Sequence, residues 1–143
     1  MRHLFISFVT VLFLSSFLFA EKAIVAQYSY LVGSYECIGR WPDSNKTFSG
    51  RVEISEANEG VKIIRMIDGQ IIEAVGKYGT ATPDGIRVLR VKFNQNGKAY
   101  EETCLVSGDL DNYARITCYL YTEKTKKVGL ETLFPDHGQL DKK

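Results

Sequence analysis

"KAYEETCLVSGDLDNYARITCYLYT", residues 98 to 122, holds two runs rich in Tyr, Thr, Val, Ile and Cys on either side of a cluster of turn residues. Successive side chains of a strand point to opposite faces. The second run therefore puts Ala114, Ile116, Cys118 and Leu120 on one face and Tyr113, Arg115, Thr117, Tyr119 and Tyr121 on the other. The first of these faces is apolar and reads as core. In the first run Tyr100, Glu102, Cys104 and Val106 alternate with Ala99, Glu101, Thr103 and Leu105. A turn centred on Asp111 sets Val106 against Ile116 and Cys104 against Cys118. Directly opposed Cβ atoms lie about 4.5–5.5 Å apart, close to what a disulfide requires. The segment thus reads as a hairpin bridged by Cys104 and Cys118, with Cys37 as the odd thiol. Three small buried apolar side chains are the alternative.

The same pattern repeats outward from this hairpin. Short runs of Val, Ile, Tyr and Thr recur between turn signals, with almost no helical periodicity, which marks an all-β chain. Strands are predicted near residues 34–39, 48–56, 61–67, 70–78, 86–93, 98–107, 113–122 and 128–134. Asp68-Gly69 is the strongest hairpin signal among the separators, because both residues of such a turn need positive φ. Eight strands on short loops without a crossover helix predict an eight-stranded antiparallel up-and-down barrel, with a sandwich of the same strands as the alternative. A barrel of this size is filled by side chains or holds one small ligand.

Residues 1–20 read as a secretory signal peptide: Met1-Arg2-His3, then an apolar run from Leu4 to Ala20 broken only by Ser and Thr. Cleavage is expected after Ala20, with Ala26 as a second candidate and an uncleaved anchor as the rival reading. The remainder divides into an N-terminal extension (21–30), the barrel domain (31–135) and a tail expected to be disordered (136–143). The expected location is secreted or periplasmic, with no stable membrane insertion after cleavage. Of 18 Lys plus Arg, Arg2 is lost with the signal, leaving 17 against 17 Asp plus Glu. That balance lacks the basic footprint phosphate backbones demand, so no nucleic acid is expected as a partner.

"GSYECIGRWPDSNKTFSGRVEI" resembles the opening of a set of small secreted bacterial barrels, in Gly33, Tyr35, Gly39, Pro42, Phe48, Gly50, Val52 and Ile54. "VGLETLF" is similar to their closing motif through Gly129, Glu131 and Leu133. The resemblance implies an avidin-like or lipocalin-like architecture; some members are labelled fibronectin-binding protein, and most have no established activity. The chain's single tryptophan departs from the several that line an avidin biotin pocket.

Catalytic groups are scarce. The only histidines are His3 and His137, which leaves no Ser/His or Cys/His nucleophile system on the strands. The cysteine spacing fits no zinc motif. Asp109 and Asp111 look like the start of a calcium loop without its later Gly and Glu, and turn formation explains them. No enzyme activity and no cofactor are expected.

Glu131 alternates in phase with Leu133, which aims it inward. A buried carboxylate needs a partner, and Arg65, Arg115 or a tyrosine hydroxyl qualifies. The group serves either as a ligand acceptor inside the barrel or as half of a structural ion pair. Aromatics are the remaining signal, since Tyr and Trp are enriched at interfaces and pocket mouths. Trp41 is expected at one rim, in the loop between the first two strands. The expected ligand-binding set is Tyr35, Trp41, Arg65, Tyr100 and Glu131, holding a small apolar ligand or a protein partner at the barrel mouth. The alternative is a protein-interaction module, such as an adhesin or enzyme inhibitor, with a solid core and exposed aromatics or the Trp41 loop as the contact.

Overall fold

The computed structural model describes residues 28–107 and 115–136. The signal peptide, the Asp109–Asp111 turn, Tyr113 and all of the tail but Asp136 lie outside the described residues. Eight strands form a closed antiparallel barrel in chain order: β1 (Gly33–Arg40), β2 (Thr47–Ala57), β3 (Gly60–Ile67), β4 (Gln70–Thr80), β5 (Arg87–Gln95), β6 (Lys98–Ser107), β7 (Arg115–Tyr121) and β8 (Gly129–Pro135). Pairing of β1 with β8 closes the circle and leaves no sheet edge. The sandwich alternative is thereby set aside.

Turn chemistry sets the registers. Asp68 and Gly69 have φ of 51° and 75°, and Asn96 and Gly97 have 51° and 72°, the doubly left-handed geometry whose twist matches a two-residue hairpin. Gln70 consequently pairs with Ile67 and Lys98 with Gln95. Between β6 and β7 the register places Cys104 opposite Cys118, and the two form a disulfide.

Alternation separates core from wall. Val52, Val61, Ile67, Leu89, Leu120 and their neighbours point inward and are almost fully buried. Gly39 exists for packing: a Cβ there would lie 2.3 Å from the Phe48 ring and 2.6 Å from the Leu130 carbonyl oxygen. Gly39→Ala is accordingly expected to cost about 1–3 kcal/mol through overpacking, read as a lowered midpoint in urea unfolding.

Both ends are plugged. At one end a 3₁₀ turn, Ser29–Leu31, drops Leu31 into the barrel. The Tyr35 hydroxyl donates to the Leu31 carbonyl at 2.8 Å. Tyr28 stacks on Tyr78 at 4.8 Å, and its hydroxyl accepts from the Tyr78 N–H. Part of what the sequence assigned to an extension thus belongs to the core. At the opposite end the Trp41 ring lies 4.4 Å from Phe48 and 5.5 Å from Tyr100. Its loop is clasped across the β1–β8 seam: the Asp43 carboxylate accepts from the backbone N–H groups of Lys126 and Lys127, and the Asp43 N–H donates to the Lys127 carbonyl.

Candidate functional site

Midway along the barrel three ionisable side chains from three strands meet. Arg65 of β3 points inward between Ile63 and Ile67; Glu102 of β6 lies two residues before Cys104; Glu131 of β8 lies two before Leu133. Alternation makes all three inward-facing. One Arg65 terminal nitrogen donates to Glu131 at 2.8 Å and to Glu102 at 2.9 Å, and the other donates to Glu131 at 2.9 Å. The guanidinium also lies over the Phe93 ring, 4.4 Å from its centre. The fork geometry of arginine suits this bidentate contact.

The surroundings set the charge states. Burial pushes the Glu102 carboxyl well above its ordinary range; Arg65 opposes this, while the charge of Glu131 and a hydrogen bond with it reinforce the rise. Arg65 stays protonated: burial disfavours its charge, and Glu102 and Glu131 outweigh that effect. A single guanidinium thus faces two buried carboxyl groups. Burial, and then the negative charge of Glu131, push the Cys37 thiol up to about 12, so it is a neutral thiol at ordinary pH.

A pH dependence follows from Glu102. Above the ordinary glutamate range of about 4.3, the folded protein holds a proton that the unfolded chain has released. Stability is therefore full below that value and falls as pH rises towards the raised folded value. Melting temperature should decline from mildly acidic to mildly alkaline buffer. Glu102→Gln, which keeps a donor for Glu131 and has no proton to lose, should flatten that slope.

Arg65, Glu102 and Glu131 are 1%, 2% and 1% exposed, so the cluster is shut off from bulk solvent. Of the sequence-expected set, the structure joins Arg65 to Glu131 and sets Trp41 beside Tyr100, whose ring stacks on Phe93 at 5.2 Å. Tyr35 stands apart, pinned to Leu31 at the other end. Glu102 was missing from that set, although its alternation with Cys104 carried the signal. A Glu102 oxygen and the sulfurs of Cys104 and Cys118 lie within 4.8 Å of one another, but the disulfide occupies both sulfurs. A concavity of about 1030 Å³ is lined by Lys62, Glu73, Lys92 and Glu101 of the outer wall together with Val61, Ala74, Phe93 and Tyr100 of the core.

The outer wall is uneven. Across β2 to β5 it carries Arg51, Glu53, Lys62, Glu73, Lys77 and Lys92. On β7 and β8 the outward positions are Arg115, Thr117, Tyr119, Tyr121, Leu130, Thr132 and Phe134, with Arg115 at the start of β7 as the one charged residue among them. Tyr121 is held by Arg90, Thr103 and Glu101, whereas Tyr119 is 52% exposed. Ile38 of β1 and Leu105 of β6 flank this field, both about half exposed. No family model matches the chain, and neither a curated protein nor a solved structure shows significant similarity to it.

Proposed function

We propose that the protein is an exported, non-enzymatic interaction module that works through its outer surface, with the barrel as a rigid solid support. One observation carries this reading: the Arg65–Glu102–Glu131 cluster fills the middle of the barrel, between a Leu31 plug and a Trp41 plug. An interior filled with paired charge offers an apolar guest neither room nor a matching lining. Protein recognition needs a different surface, and an exposed, mostly uncharged patch on a fixed scaffold supplies one. Export is supported by the N-terminal sequence and by a disulfide, a bond that persists in oxidising compartments.

The geometry favours this solid-core alternative over a ligand held at the mouth, because the floor beneath Trp41 is occupied by Phe48, Phe93 and Tyr100. The test is a titration of the purified protein with fatty acids, a lysolipid and hydrophobic fluorescent probes, following Trp41 emission and melting temperature. Neither signal should move in a saturable way. Saturable stabilisation, with Trp41 shielded from a soluble quencher, would overturn the proposal in favour of a ligand-binding barrel.

A further inference from the structure

The register of the mostly uncharged wall has a symmetry of its own. Laterally, Ile38 pairs with Thr132 and Thr132 with Thr117, forming a central row. Two residues along in one direction lie Glu36, Phe134 and, at the start of β7, Arg115; two along in the other lie Arg40, Leu130 and Tyr119. A two-fold axis running across the strands at the central row reverses the strand direction. It lays β8 on β8 and β1 on β1 of a second copy, so that Phe134 meets the partner's Leu130 and Ile38 meets the partner's Ile38. Glu36 then meets the partner's Arg40. The Arg115 position of β7, in the Phe134 row, comes over the partner's Tyr119 row, and elsewhere in the field uncharged residues face uncharged ones.

Resting on the reading of the protein as an interaction module, we infer that its partner on this wall is a second copy of the same chain. The two copies pack β7, β8 and β1 face to face about that axis. Self-pairing through one patch is what a two-fold interface requires, and near-parallel sheets packed about 10 Å apart are a standard arrangement. A formal net charge of +1 adds little long-range repulsion between copies. Ile38, Leu130 and Phe134 are 56%, 42% and 43% exposed, and adjacent Val128 extends the apolar area. Curvature limits the contact to about three strands, with Leu105 on the shoulder. Strand spacing and rise then give an area on the order of 400–500 Å² per copy, the small end of specific interfaces, so the dimer is weak and concentration-dependent.

Sedimentation equilibrium of the purified protein from ~1 to ~500 μM covers the affinities expected of such an interface. The wild type should pass from monomer to dimer within that range. Leu130→Lys should weaken pairing by about tenfold or more through burial of an unmatched charge, whereas Val75→Lys, on an exposed site of the far wall, should leave it unchanged. Glu36→Arg should weaken it, and the double exchange Glu36→Arg/Arg40→Glu should restore it. Far-UV circular dichroism and melting confirm that each variant folds. A wild type monomeric throughout overturns self-pairing, as does equal loss in Leu130→Lys and Val75→Lys; failure of the double exchange to restore pairing overturns the antiparallel arrangement. A monomer that still ignores small ligands defeats only this inference, while a ligand that enters the barrel defeats the reading beneath it.

Discussion

Arg65→Met should lower the stability of the protein by about 3–5 kcal/mol, because it leaves Glu102 and Glu131 together in the barrel without a counter-charge. For a domain of this size that corresponds to a fall in melting temperature of roughly 12–20 °C, and to a large share of the 5–15 kcal/mol that holds a typical domain together. The cost is that of isolating two acids, not the worth of the ion pair. Replacing all three groups with apolar residues of similar volume should therefore recover most of the loss, since removing a complete buried pair is often neutral or stabilising. Thermal melts of the single and triple variants separate the two. A triple variant as damaged as the single one would mean that the cluster supplies net stability through its fork and its Phe93 contact.

Loss of the disulfide should have the next largest effect. Cys104 and Cys118 enclose a short loop, with a sequence separation of 14, and removing such a cross-link costs about 3 kcal/mol in the chain-entropy view. Cys104→Ala/Cys118→Ala should melt roughly 12 °C below the wild type. Alkylation followed by mass spectrometry checks the bonding directly. Native protein should take up no label at mildly alkaline pH, because the free thiol of Cys37 is buried and protonated. Unfolding without reductant should admit one label, and unfolding with reductant three.

Much of this was legible because a strand's period is two. Once the Asp111 turn was placed, the partner of Cys104 followed by counting, and the same count assigned Ile116 and Leu120 to the core. What alternation states is which face a residue takes; it does not state which residues meet across the lumen. That depends on strand tilt and stagger, which is why the sequence offers Glu131 three candidate partners and does not single out Glu102. Position along the strand was equally readable for Trp41, at the rim, but not what lay under it. The plug is invisible for another reason: three residues of 3₁₀ turn carry no periodicity, so the sequence leaves Tyr28 in the extension and Leu31 as no more than the first residue of the barrel domain.

The seam between β1 and β8 joins the first strand of the barrel to the last, and the Asp136 N–H donates to the Ser34 carbonyl at 2.8 Å. Start and finish of the domain are thus hydrogen-bonded neighbours, and the ring of strands has no privileged beginning. A chain re-threaded to start at Gly69 and joined across the old termini would contain every pairing of the original, at one added loop and one lost hairpin. In the natural order all other pairings are hairpins that can zip locally, while the seam must wait for the whole chain. Closure is the event that turns a meandering ribbon into a ring, and the Asp43 clasp, lying across that seam, is formed only once the ring is complete.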